Sequence, residues 1–185
     1  MKMKYIALAA LAVLIVVGGL FLWKGVTKAP GSENEAASAG YENATYTVEG
    51  KSVTLADGSA VSELAPGSAS KLVTHYFGNE AGGDLNGDGV PDAAFLLTQT
   101  GGGSGTFYYV AAALKTANGY EGTNAIFLGD RIAPQTTAVK DGEITVNYAD
   151  RNPDEPMTTA PSVGVSRHFR VEGGALIEIG GQNSS

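Results

Sequence analysis

Two hydrophobic patterns divide the chain. From Tyr5 to Trp23 no residue is charged, and as a helix that run reaches about 28 Å, close to the hydrocarbon thickness of a bilayer. After about residue 40 the apolar residues fall instead into short runs, several alternating with polar ones, separated by glycine-, asparagine- and aspartate-bearing turns. That is the pattern of half-buried β-strands. It predicts a membrane anchor over residues 1–24, a flexible tether over 25–43, a β domain over 44–180 and a disordered tail over 181–185.

Within the domain the runs predict strands over 45–49, 52–56, 71–77, 93–100, 106–114, 122–128, 136–140, 143–148, 163–172 and 175–179. Gly50-Lys51, Asn118-Gly119, Gly129-Asp130, Asp141-Gly142 and Gly173-Gly174 mark the turns between them. The stretch 62–70 is polar, contains Pro66-Gly67, and is read as holding one helical turn or a short helix running into Lys71. Both alternations of the run 106–114 are apolar, which places it in the middle of a sheet. In the run 143–148, Ile144, Val146 and Tyr148 point one way and Thr145 and Asn147 the other. About nine or ten strands with short connections predict a mainly β fold, an antiparallel meander closed as a sandwich or barrel. No repeat of 20 to 50 residues is visible, which argues against a propeller.

The flanks of the N-terminal run orient it. Tyr5 and Trp23 match interfacial aromatic anchors, and the amino group with Lys2 and Lys4 slightly outweighs Lys24 and Lys28. This predicts a single-pass anchor with a cytoplasmic N-terminus and an exported C-terminal domain at the cell membrane. The rival reading is a cleaved signal peptide, for which Ala37-Ser38-Ala39 is the small-x-small candidate, set far beyond the apolar run. The residues between anchor and domain are small, polar and mildly acidic, too poor in apolar side chains to pack.

Charge and composition narrow the function. All nineteen acidic residues follow Lys28, against eight basic ones, so the part beyond the anchor carries −11. Nucleic acid is an improbable partner for such a surface. The chain has no cysteine, which excludes disulfides, thiol catalysis, thiolate metal sites and the lipid-modified cysteine of a bacterial lipoprotein.

One stretch carries ligand chemistry. In Gly83-Asp84-Leu85-Asn86-Gly87-Asp88-Gly89-Val90-Pro91-Asp92, oxygen-bearing side chains stand at alternate positions, as a hard divalent cation requires of a chain that curls around it. Asp84, Asn86 and Asp88 take positions 1, 3 and 5, Gly89 the sharp turn at 6, Val90 offers its carbonyl at 7, and Asp92 stands at 9, binding directly or through a water. Glu80 is a further candidate for the shell. Calcium is the expected ion, bound weakly, at about 10⁻⁴ to 10⁻³ M, because the bidentate Glu of position 12 is replaced by Phe95. The alternative is a polar Asx-type turn with no metal, since Asn-Gly and Asp-Gly pairs also mark hairpins.

The loop resembles the D-x-[DN]-x-D-G-x-x-D loops of EF-hands, dockerins, thrombospondin type 3 repeats and FG-GAP propeller blades, the last most of all because a strand follows it. The resemblance covers some ten residues in one copy and implies calcium ligation at Asp84, Asn86, Asp88, Val90 and Asp92, without implying either repeated fold. Gly83 to Asp92, together with the glycine-rich stretch Gly102 to Tyr109, also looks like a poorly characterised group of bacterial extracytoplasmic β domains anchored by a helix or a lipid. That group implies no activity.

Catalytic readings are weaker. Gly101 to Gly105 lacks the Gly-Lys-Ser/Thr ending of a phosphate loop, and Ser104 lacks the final glycine of G-x-S-x-G. His75 and His168 are the only candidate bases, each inside a predicted strand. Asn43-Ala44-Thr45 and Asn183-Ser184-Ser185 match the glycosylation acceptor pattern. The sequence therefore predicts a non-enzymatic, calcium-binding envelope module facing an unknown envelope or extracellular ligand. The alternative is a cell-envelope hydrolase with a calcium-shaped site.

Overall fold

The computed structural model describes residues 40–184, with side chains through residue 181. The predicted anchor and nearly all of the tether lie outside the described residues. Among those described, no helix is long and apolar enough to cross a membrane.

Among the described residues, twelve strands form three antiparallel sheets. An N-terminal hairpin pairs β1 (Thr45–Val48) with β2 (Lys51–Thr54). The central sheet takes β3 (Ser59–Glu63), β4 (Lys71–Gly83), β5 (Asp92–Thr100), β6 (Phe107–Thr116) and β7 (Gly119–Gly122) in meander order. Its sixth strand, β8 (Ile126–Asp130), pairs with β6 beside the Phe107 end, while β7 takes the Thr116 end of the same edge. A second meander joins β9 (Ala133–Lys140), β10 (Glu143–Asp150), β11 (Val163–Glu172) and β12 (Ala175–Ser184).

The core explains the arrangement. Strands β5 and β6 are apolar on both faces, so each face requires its own cover. Ala94, Leu96, Val110 and Ala112 pack on one face against Ile144, Val146 and Phe169 of the second meander. Phe95, Leu97, Ala111 and Ala113 pack on the other against Tyr46 and Val48 of the hairpin and Tyr41 before it. The result is three layers with β5 and β6 in the middle. Each fully buried Phe or Leu in these clusters contributes about 1.5–3 kcal/mol of transfer free energy.

The mainly β antiparallel class and the meander are as expected, and so is the interior position of β6. Ile144, Val146 and Tyr148 all face the core. The strand count is higher than the expected nine or ten, for local reasons. Strand β3 occupies the start of the stretch read as polar, because an edge strand exposed at Val61, Ser62 and Glu63 shows no apolar alternation. The first hairpin turns at Glu49-Gly50, both at positive φ (50° and 73°), one residue before the expected pair. Strand β4 runs past Phe77 to Gly83 through two irregularities around Gly78, where Gly78 and Asn79 adopt φ of 92° and 53°. The run read as one strand over 122–128 is broken between β7 and β8.

Both ends of the domain also differ from expectation. The described residues begin at Gly40, ahead of the expected domain start at 44, and Tyr41 is buried against Phe95 with ring centroids 5.2 Å apart. At the other end the residues read as a disordered tail continue β12, pairing Gly181 to Ser184 with Arg167 to Gly164 of β11. A polar tail gives no hydrophobic signal, but β11 presents it with a row of unpaired backbone groups.

Candidate functional site

The loop from Asp84 to Pro91 joins β4 to β5, whose ladder ends on the pair Gly83 and Asp92. Gly87 and Gly89 both lie in the left-handed region, at φ 81° and 82°, and these two residues curl the chain where a β-carbon would strain it. The curl turns amides toward the acids. Asp84 Oδ1 accepts the N–H of Gly87 at 2.7 Å and of Asp88 at 3.2 Å, and its Oδ2 accepts that of Gly89 at 2.9 Å. Asn86 Oδ1 accepts the Asp88 amide at 2.9 Å, and Asp88 Oδ1 the Val90 amide at 2.7 Å. The Gly89 amide, with those of Gly87 and Asp88, holds the Asp84 carboxyl below the ordinary carboxylate range, although desolvation works in the other direction.

Asp92 has a different position. It is 3% exposed, with Oδ2 accepting the Leu85 amide at 2.9 Å and Oδ1 the Lys115 amide at 2.7 Å. This carboxylate therefore ties the start of the loop to the end of β6. Among the described residues no group of three or more His, Cys, Asp or Glu is gathered as a metal site.

The exposed side chains of this loop keep oxygen acceptor positions in reserve. An ionised carboxylate has about four acceptor positions. Asp84 uses three of them and Asp88 two, the second from Asn86 Nδ2 at 3.0 Å. Asp84, Asn86 and Asp88 thus retain acceptor capacity where solvent has access, and the Asn86 amide must rotate to release Asp88 Oδ2. Asp92 is occupied on both oxygens by backbone donors and suits an outer role through water. A cleft of about 360 Å³ beside the loop is lined by Asp84, Gly87, Val139 and Asp141. Sequence reasoning missed Asp141 there, because Asp141-Gly142 reads only as the turn between β9 and β10.

Glu80 does not face the loop ligands. Both Tyr41 and Tyr76 donate their phenol protons to its Oε2, within a ring cluster centred on Phe95. Burial, with the hydrogen bond to Glu80 next, raises both phenols well above the ordinary tyrosine value. The tyrosines are therefore neutral donors at all physiological pH values.

The candidate hydrolytic groups are dispersed. His75 lies on β4 of the central sheet, opposite Ser59 and Thr98. His168 lies on β11 of the second meander, where its Nδ1 meets Glu143 Oε1 at 2.8 Å and Thr145 Oγ1 at 3.2 Å. Ser104 stands in the loop between β5 and β6, and among the described residues no hydrogen bond joins it to either histidine. The His168 contacts follow from the β10–β11 register, in which Thr145 faces His168. Asn43 of the Asn43-Ala44-Thr45 acceptor pattern receives the Asp57 amide on its Oδ1 at 2.9 Å.

Comparison with protein-family models, with curated proteins and with solved structures finds no match for this chain.

Proposed function

We propose that this chain is a membrane-tethered extracytoplasmic β domain that binds calcium through loop 84–92 and serves as a non-enzymatic binding or structural module of the cell envelope. The observation that carries the reading is the loop itself. Alternate acids, left-handed glycines at 87 and 89 and an Asp84 carboxyl held below the ordinary carboxylate range leave spare oxygen acceptors on Asp84, Asn86 and Asp88. Asp84, Asn86 and Asp88 with the Val90 carbonyl are the ligands, and Asp92 acts through water. Bound there, calcium supplies positive charge that offsets the repulsion of the clustered carboxylates, about 1 kcal/mol for each close pair at water-like screening.

The compartment rests on the apolar run, its aromatic ends and the lysines before it. Two measurements test the proposal together. Full-length protein in detergent is titrated calorimetrically with calcium, and intact cells expressing it are shaved with protease. Saturable binding near about 10⁻⁴ to 10⁻³ M, with the β domain cleaved from outside, is the expected result. No heat of binding removes the cation from the reading, and a domain protected until the cells are lysed removes the compartment.

A further inference from the structure

Strands β2 and β3 leave one another at a tight turn and never pair beyond it. At the turn they form a single ladder rung, with Ala56 N–H to the Ser59 carbonyl at 2.8 Å and Ser59 N–H to the Ala56 carbonyl at 3.1 Å. Past that rung β2 joins β1 in the hairpin layer and β3 joins β4 in the central sheet. A cleft of about 370 Å³ opens between them. It continues into a second space of about 340 Å³, floored by Tyr109 and rimmed by the half-exposed rings of Phe107 and Phe127, with Glu49, Leu72 and Gln99 common to both.

The backbone edges bordering the cleft are unpaired. In an antiparallel ladder alternate residues bond to the partner and the rest face outward. The Ser59 rung to Ala56 fixes the phase of β3, so Val61 and Glu63 direct N–H and C=O away from β4. Thr47 bonds away from β2, to the Thr123 carbonyl and the Ala125 amide, and it faces Ser52 in register. Ser52 and Thr54 therefore direct theirs away from β1. None of these four residues has another backbone partner among the described residues. Two strand edges with unmet donors and acceptors across one cleft match an extended polypeptide, which presents both groups at the repeat of a strand.

Charge defines one end of the occupant. Glu63 already pairs with Lys71 at 3.6 Å. Glu49, where the two spaces meet, lies close enough to the Tyr109 phenol to help burial raise it and forms no ion pair among the described residues.

We propose that the cleft between β2 and β3 receives an extended peptide segment by strand addition, with a basic side chain at Glu49 and an apolar one against Phe107 and Phe127. The assignment is independent of calcium and of the membrane anchor.

The test is a selection of phage-displayed random heptapeptides on the full-length chain in detergent micelles, with the Val61→Pro chain as counter-target. Proline at 61 removes one outward N–H and spares the residues that bond β4, an edge position where proline is tolerated. Enriched peptides are expected to carry a Lys or Arg and to slow amide exchange at Ser52, Thr54, Val61 and Glu63. Their affinity should fall at least tenfold on Val61→Pro, hold on Val61→Thr, and vanish when alternate peptide nitrogens are methylated. Glu49→Gln should weaken them while leaving exchange in β5 and β6 unchanged. Should Val61→Pro fail to fold, the exchange pattern and the methylated peptides decide alone. The proposal is overturned if no sequence enriches, if methylation has no effect, or if protection appears elsewhere. It is likewise overturned if cellotetraose or chitotetraose protects the cleft amides while no peptide does, which makes the site a sugar site.

Discussion

Asp92 and Lys115 are joined across the strand ends, the Asp92 Oδ1 accepting the Lys115 amide at 2.7 Å while its Oδ2 takes the amide of Leu85. One buried carboxylate thereby ties the 84–92 loop to the end of β6. Bonds to an ionised acceptor are worth about 1.5–3 kcal/mol each, and a buried donor left unpaired costs about 1–3 kcal/mol. Asp92→Ala should therefore destabilise the domain by roughly 2–4 kcal/mol in chelator, and by more in calcium, where its water-mediated hold on the ion is lost as well. Urea unfolding in both conditions measures this, and a loss under about 1 kcal/mol contradicts a structural role.

Asp88 should behave in the opposite way. It is exposed and its bonds lie within the loop, so in chelator Asp88→Ala should cost no more than about 1 kcal/mol. At tenfold excess over its dissociation constant, calcium should stabilise the parent chain by about 1.4 kcal/mol, and this increment should disappear in the variant. Thermal melts of the two proteins with calcium and with chelator form the cycle. An increment that survives in Asp88→Ala removes that residue from the ligand set, and a parent melt indifferent to calcium reduces the loop to a turn.

The places of these two aspartates are legible in the sequence, but their roles are not. Spacing alone places Asp84, Asn86, Asp88 and Asp92 on one curled loop followed by a strand, and the structure has that loop and that strand. Spacing does not separate Asp88, facing solvent, from Asp92, whose partner Lys115 comes from β6 and is fixed only by tertiary register. Glu80 failed as a ligand candidate for the same reason, since Tyr41 and Tyr76 meet it through the fold. Among strands, the legible ones had a buried face, such as β10, or two, such as β5 and β6. Strand β3, an edge with Ser62 and Glu63 exposed, carries no such signal, and the cleft it borders was invisible for that reason. The outcome of the N-terminal reading lies outside the described residues.

The depressed carboxyl of Asp84 gives a pH dependence with a definite sign. Its folded value lies below its unfolded one, so the stability it contributes is present above the ordinary aspartate value of about 3.9 and is lost as pH falls through the folded value. Glu178, lowered by its hydrogen bonds to Arg167, and Asp130, lowered by Arg131 despite desolvation, act in the same window. In chelator the urea midpoint should be insensitive to these groups between about pH 5 and 7 and should fall below about pH 4. Asp84→Asn should show a shallower fall. Identical acid limbs for parent and variant contradict the assignment.

Gly122 tests how the hairpin layer is seated. A β-carbon there would lie 2.4 Å from the Thr45 carbonyl oxygen and 2.5 Å from Tyr46 Cδ1, and neither can yield cheaply. The Thr45 atom is backbone of β1, and Tyr46 is 1% exposed, edge-on to Phe95 at 5.6 Å and bonded through its hydroxyl to the Tyr41 carbonyl at 2.6 Å. Gly122→Ala must push the hairpin off β7, at a cost of about 1–3 kcal/mol as for other overpacked cores. Amide exchange should show the loss first in Tyr46 to Val48, with Leu96 and Val110 on the opposite face of the middle layer less affected. Uniform loss across both faces would mean that the hairpin is not a separable layer but unfolds only with the whole domain.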